Sequence, residues 1–562
     1  MTTTEPATTT TNATPAAPSA LSPLAYKLFR YVWLAGLASN IGTFMHTVGA
    51  AWLMTTLTNS PSQVALLQTA SAVPAFLLAL LAGALADVVD RRRLLIWSQL
   101  LMLVAAGLLG VLTLQGRATP GILLGLTLVL GIGATLNLPA WAASIPELVP
   151  REELAPAVAL NAVGIQAASA IGPAMGGIVV AALGPEWVFL INALSFLAVI
   201  GAVLSWKPQP RTGLPAEHIL SAVRTGVRYV RNAVSVQVIL VKGGLFMLFS
   251  AGLSALLPVV ARDRLDASAG EFGILSAAMG SGAVLAAFGL PRLRRALSVD
   301  ALVGLAALVY AGATVAVALA PSLWLACAAL VLSGGAAITV MSTAMMTMQA
   351  VLPSWVRGRA LAVFLLVFQG SNAVGAAAAG VVASATSATW ALLASAAGLV
   401  VVTGVAAPLR LAGRADVDPS AAGLWPDPRI VIEHAEDDGP VLIQLEWLIA
   451  PADVPAFVAT MHEVARQRRR DGALHWGLYQ DTAAPGRLVE SYTVPTWAEH
   501  ERQHQRITTA DLPALAAANA YLREGGAPTT THLLAGDARR HQHGAAAAAA
   551  AHAATCTAAA TG

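Results

Sequence analysis

Charge is what this chain has least of. Of its 562 residues only 11% are Asp, Glu, Lys or Arg, while 56% are hydrophobic; a soluble domain carries about 25% charged residues. Most of the chain therefore does not face water. Cysteine is almost missing as well. Cys327 lies in an apolar run and Cys556 near the end, neither with a partner at redox or zinc-motif spacing, so no disulfide framework and no metal site is read. No glycine-rich phosphate loop closes on a lysine, which argues against ATP drive, and no cofactor is expected. The net charge of +3 is small, and nucleic acid is not an expected partner.

What the chain does have is apolar length. From about Phe29 to Pro408 about twelve runs of roughly 20 apolar residues, the length that crosses a bilayer, are separated by short polar breaks. The first run stays apolar past leader length and is read as a span. Basic residues fall in alternate breaks. Lys27, Arg30, Arg91, Arg92, Arg93, Arg151, Arg228, Arg294 and Arg357 share one side, against Arg117, Arg262 and Arg264 on the other. The basic side is read as cytoplasmic. The chain is thus expected in the cell (inner) membrane, multi-pass, in contact with the lipid bilayer and with both termini cytoplasmic.

An internal repeat sharpens this. Pro150, Gln166, Gly172 and Gly177 are matched 203 positions later by Pro353, Gln369, Gly375 and Gly380, and the same offset carries Arg91 and Arg92 onto Arg294 and Arg295. A duplicated six-helix unit follows, with both halves in the same orientation and the site between them. Beyond about Arg429 the pattern changes. Val441, Ile443, Leu445, Trp447 and Ile449 alternate as in a half-buried strand. A helix capped by Asp453 follows, with Phe457, Met461 and Val464 on one face; then two strands joined at Pro485 and Gly486, a helix opened by a Thr496–Glu499 capping box, and a last strand.

The expected fold class is therefore an all-α membrane protein of twelve transmembrane helices in two six-helix halves, plus a C-terminal ferredoxin-like α+β domain. The expected boundaries are a disordered tail at 1–23, an N-terminal half at 24–209, a cytoplasmic loop at 210–235 and a C-terminal half at 236–410. A linker at 411–427, the cytoplasmic domain at 428–535 and a disordered Ala/His-rich tail at 536–562 complete the chain. His541, His543 and His552 belong to that tail and are read as solvated.

Two motifs carry a resemblance. "GALADVVDRRRLL" places Gly83, Asp87, Arg91 and Arg92 in the short basic-side loop after the second run. It resembles the loop signature of the major facilitator superfamily, with Val88 and Asp90 where that pattern has Arg and Gly. The resemblance implies a latch whose charge contacts favour the outward-facing state. "GPAMGG" sets Gly172, Pro173, Gly176 and Gly177 in the fifth run, where small residues let helices approach closely. It is similar to the fifth-helix motif of drug antiporters. With "PELVPREELAPAVALN" and the opening "LASNIGTFMHTVGAAWLM", the chain from about Leu24 to Leu534 resembles the enterobactin-exporter-like branch, the transmembrane secretion effectors. That resemblance implies efflux of siderophores or other small hydrophobic molecules by proton exchange.

The candidate cavity residues are polar groups inside apolar runs, which default to the interior: Asn40, Thr43, His46, Asn137, Asn161, Gln166, Asn192, Lys242, Gln369 and Asn372. No Asp or Glu lies near mid-membrane. His46, the one histidine inside any run, is therefore the candidate proton carrier. The C-terminal domain resembles antibiotic-biosynthesis-monooxygenase modules. That implies dimerisation through residues 428–535, with Trp476, Tyr479, Trp497, His500 and His504 as candidate pocket lining. No catalytic residue is assigned. An enzyme or a ligand sensor acting through that domain is the alternative to a plain exporter.

Overall fold

The computed structural model describes residues 21–206, 219–353, 355–411, 420, 422, 438–523 and 527–535. The expected tails, apart from residues 21–23, and most of the linker lie outside these residues; Ser22 and Pro23, expected in the disordered tail, belong instead to a 3-10 turn over Ser22–Ala25. The first half comprises α1 (Lys27–Leu57), α2 (Pro61–Val88), α3 (Arg91–Leu114), α4 (Pro120–Leu148), α5 (Leu154–Leu183) and α6 (Pro185–Leu204). A short α7 (Ile219–Asn232) leads to α8 (Val234–Asp263), α9 (Ala269–Ala296), α10 (Val299–Leu319), α11 (Leu323–Val351), α12 (Arg357–Ala385) and α13 (Ala388–Val405).

The helix starts follow local chemistry. Pro61, Pro120 and Pro185 open their helices, where a missing N–H costs nothing. Asp90, Thr119, Ser298 and Ser387 each accept a first-turn N–H, and Ser268 with Glu271 forms a full capping box.

Among the described residues eleven helices are long and apolar enough to cross a membrane, where the sequence suggested twelve runs. The long helix outside this set is α1, with 31 residues. Its length suffices, but Asn40, Thr43, His46 and Thr47 lower its hydropathy. The repeat is also more local than one offset suggests. The starts of α4, α5 and α6 at 120, 154 and 185 recur 203 residues later in α11, α12 and α13 at 323, 357 and 388. The starts of α3 and α10, at 91 and 299, are 208 apart. Arg294 and Arg295 therefore end α9 instead of opening α10, correcting their alignment with Arg91 and Arg92. Even so, the two arginines do similar work. Arg91 binds the Ala143 carbonyl of α4, and Arg294 reaches Met346 and Ser342 of α11; Met346 stands 203 positions after Ala143.

The C-terminal region folds as β1 (Val441–Leu448), α14 (Val454–Asp471), β2 (His475–Gln480), β3 (Arg487–Val494), α15 (Trp497–Arg506), α16 (Leu512–Asn519) and β4 (Thr529–Leu534). The sheet order is β2-β3-β1-β4, with every neighbouring pair antiparallel. Val441, Ile443, Leu445 and Trp447 bury one face against Phe457, Met461 and Val464 of α14. Arg468 and Glu490 pair at 3.1 Å inside this core, and Trp476 donates to the same carboxylate at 3.0 Å. Two cap expectations change. Asp453 holds the cap position of α14 but its side chain accepts no cap hydrogen bond. Thr496 caps α15 through Glu499 N, yet the Glu499 carboxylate does not return to close the box. It binds arginines instead.

Candidate functional site

The two halves meet through small residues at the end of the bundle opposite the arginine clusters. A Cβ placed on Gly177 of α5 would lie 2.6 Å from the Gly273 Cα of α9, and one on Gly280 would lie 2.1 Å from the Ser169 carbonyl. On the other flank a Cβ at Gly380 of α12 would lie 2.6 Å from Ala65 of α2, and one at Gly370 2.6 Å from Phe76. The Ser62 N–H donates to Ser384 Oγ at 3.0 Å, and Thr69 donates to the Ala373 carbonyl at 3.1 Å. These contacts run from the far ends of α2, α5, α9 and α12 to their middles, where Gly370 meets Phe76. The rest of the fifth-helix motif works inside the first half. Gly172 and Gly176 lie against α1, where an added Cβ would come 2.6 Å from Phe44 and 2.9 Å from Met45. The Pro173 carbonyl faces Gly273.

At the basic end, Arg91 donates to the Ala143 carbonyl at 2.8 Å and pairs with Glu147 at 2.5 Å. Arg92 donates to the Leu204 carbonyl at 2.7 Å. The start of α3 is thereby tied to the ends of α4 and α6. Nothing crowds Gly83 within 4 Å. The Asp87 side chain, the acid of the expected latch, lies outside the described residues.

The polar candidates divide. Asn137 accepts from Gln99 at 3.1 Å and Ser98 at 3.4 Å, joining α4 to α3. Asn161 accepts from Trp141 at 3.3 Å, and the same indole fills the space beside Gly36. Asn192 is buried where α6 crosses Gly42 of α1 and accepts from Ser195. Lys242 pairs with Asp300 at 2.6 Å, within the second half. His46 is buried with its ring 4.7 Å from that of Phe189, and neither ring nitrogen has a hydrogen-bond partner. Thr43 is exposed and accepts Thr47 Oγ1 at its carbonyl, while Asn40 is half-buried. Gln166, Gln369 and Asn372 are half-buried beside the seam between the halves. Gln166 lies one turn from Ser169, and the other two flank Gly370. Of the ten, these three are brought to the seam.

Sequence reasoning missed a second junction. The C-terminal domain is docked on the bundle through α7. Arg228 of α7 pairs with Glu499 of α15 at 3.2 Å, and Arg506 pairs with the same carboxylate at 2.6 Å. Arg506 also donates to the Asp471 carbonyl at 2.8 Å and stacks 4.5 Å from the Trp355 ring before α12. Arg470, held by Asp471 and Asp511, lies 5.8 Å from the Tyr229 ring. Burial alone would raise the Glu499 carboxyl, but Arg506 and Arg228 outweigh it and hold it below the usual carboxylate range. α7 in turn rests on α12, where a Cβ at Gly226 would lie 3.0 Å from Arg359. Glu499→Gln keeps the shape and leaves two arginines facing each other. Charge-assisted bonds contribute about 1.5–3 kcal/mol, so amide exchange across Ile219–Asn232 is expected to quicken about tenfold. Exchange in α8 serves as the unchanged internal reference.

Of the expected pocket aromatics, Tyr479 is exposed, and Trp476 sits on Glu490 with Arg469 5.6 Å from its ring. Trp497, His500 and His504 do come together, joined by His532 of β4.

Residues 18–541 match the family model described as transmembrane secretion effector. The chain is 30% identical over 261 residues to an enterobactin exporter of Shigella boydii serotype 18, a match covering 46% of this chain and 62% of that one. Enterobactin exporters of Escherichia coli are 29% identical over the same length. The chain thus spans 62% of the length of these relatives. Among solved structures, a bacterial homolog of the human lysosomal transporter Spinster superposes with a TM-score of 0.56 at 16% identity, covering 69% of this chain and 96% of that one. A nucleoside transporter NupG mutant gives 0.58 at 13% identity, covering 68% and 99%. These likenesses establish the fold of a multi-pass membrane transporter. Since the family model spans nearly the whole chain, the protein belongs to the transmembrane secretion effector family of the major facilitator superfamily.

Proposed function

We propose that this protein is a secondary-active exporter of small, largely hydrophobic molecules, siderophores or drug-like compounds, working by alternating access with proton antiport. One observation carries the reading: the halves touch through glycines from the far end to mid-helix, while among the described residues the Arg91, Arg92 and Arg294 contacts at the arginine-rich end each stay within one half. Such a seam can part and re-form, as rocking between two repeats requires. In this reading the arrangement is inward-facing. α1 is counted as the twelfth span because it packs along α5 and α6 at Gly172, Gly176 and Gly42. Gln166, Gln369 and Asn372 line the substrate path. Proton coupling falls to Asp87, Glu147, Glu152 and Glu153 at the basic mouth, because His46 is walled in by Phe189. Both termini are cytoplasmic.

The C-terminal sheet order supports a ferredoxin-like reading, and its edge strands β2 and β4 suit self-association. The docking of Glu499 on Arg228 favours a second reading, in which this domain regulates the bundle. Excision of the domain separates the two: a regulated transporter loses regulation, a plain exporter keeps its flux.

Everted membrane vesicles test the leading proposal. An imposed acidic interior is expected to drive uptake of enterobactin or a hydrophobic drug, and a protonophore to abolish it. Uptake that needs ATP and ignores the gradient would contradict it. Asp87→Asn is expected to leave insertion intact and to lower uptake about tenfold, since 1.4 kcal/mol changes a conformer ratio tenfold. Normal uptake by a well-expressed variant would remove the latch from the account.

A further inference from the structure

The C-terminal domain holds three histidines whose convergence the transport proposal does not use. His500 and His504 stand four residues apart on α15, so both rings leave the same helix face. His532 projects from β4 beneath them. The His500 ring lies 4.7 Å from that of His504 and 4.6 Å from that of His532. One ligand nitrogen from each falls within 4.8 Å of the other two.

His500 is the informative member. It is 0% exposed, and neither of its ring nitrogens has a hydrogen-bond partner. A buried polar group left without a partner costs about 1–3 kcal/mol, which calls for an occupant. Trp497 packs at 5.3 Å from His500 and closes the inner side. His504 and His532 are half-buried, so the opposite side is open to solvent.

We propose that His500, His504 and His532 form a binding site for one divalent first-row transition-metal ion, zinc or a neighbour, with water completing the shell. Neutral imidazole suits these metals. Metal–nitrogen bonds of about 2.0–2.1 Å set tetrahedral ligands about 3.3–3.4 Å apart. The rings therefore have to close by up to about 1.5 Å from their present spacing, within the reach of side-chain rotation. Three protein ligands and one water is the pattern of an open site, not of a closed structural one.

Cobalt(II) alone is the probe, with full-length protein stripped by chelator and kept in detergent. Because His541, His543 and His552 can also bind metal, the working background replaces these three by alanine. One equivalent of Co2+ is expected, with tetrahedral visible absorption, displaced stoichiometrically by Zn2+. His504→Gln and His532→Gln, both half-exposed and so tolerant of change, are each expected to weaken binding at least tenfold. Circular dichroism confirms that they remain folded. No saturable binding in the background protein, or binding that survives both substitutions together, would overturn the proposal.

Discussion

Gly177→Leu is expected to cut export at least a hundredfold while the protein reaches the membrane in normal amount. A Cβ at this position meets the backbone of α9: the Gly273 Cα at 2.6 Å, the Ala269 carbonyl at 3.0 Å and the Gly270 carbonyl at 3.1 Å. Backbone cannot rotate away, so α5 and α9 must separate. Overpacking of this kind typically costs 1–3 kcal/mol, and here the cost falls only on the state closed at the far end. Each 1.4 kcal/mol shifts the ratio tenfold, so the upper part of that range gives the predicted loss. The state open at the far end does not bear this strain, so thiol probes there should label faster. Two controls define the mechanism. Gly176→Leu collides with Met45 inside the first half and should lower the amount of folded protein. Gly201→Leu meets nothing within 4 Å and should transport normally. Wild-type transport by Gly177→Leu would mean that the seam does not move.

Asp300→Ala is expected to destabilise the purified protein by about 3 kcal/mol, the cost of leaving a largely buried charge unpaired. The Lys242 ammonium lies 2.6 Å from this carboxylate, and their side chains are 12% and 21% exposed. The surroundings are apolar, with Leu245, Phe246, Val303, Leu399 and Val402 lining the same pocket. Asp300 also accepts the Leu411 N–H at 2.8 Å, tying the chain after α13 to the start of α10. Lys242→Met should cost less than Asp300→Ala, because the orphaned carboxylate keeps that N–H. The double variant Lys242→Met/Asp300→Leu should recover most of the thermal stability. Its transport then decides the role of Lys242. Unchanged flux makes the pair structural, whereas lost flux with restored stability returns Lys242 to the substrate or coupling path.

The features legible in the sequence were those written in local pattern. Apolar length between polar breaks marked the helices, and alternation at Val441–Ile449 marked the first strand. The GPAMGG stretch announced close packing, and Gly172, Gly176 and Gly177 do pack closely. What local pattern does not encode is the partner. Nothing near Gly177 names Gly273, and nothing near Lys242 names Asp300. Asn137 and Asn161 looked like cavity groups because intramembrane amides are costly when unsatisfied; their bonds from Gln99 and Trp141 emerge only after packing, whereas Asn192 accepts from Ser195 one turn on in its own helix. The same applies to His532, 28 residues beyond His504 and on a strand. The single-offset repeat misled at Arg294 because the stretch from the start of α10 to the start of α11 is five residues shorter than that from α3 to α4, so the register that holds at α4–α6 was carried too far back, onto α2 and α3.

Accumulation of substrate in living cells tests the central claim most directly. Cells lacking their own exporters would be loaded with enterobactin and with a panel of hydrophobic drugs, with and without this protein, and internal concentration followed over time. The account predicts that at least one compound accumulates several-fold less when the protein is present, that a protonophore removes the difference, and that Gly177→Leu behaves like its absence. Equal accumulation of every compound with and without well-inserted protein would contradict it.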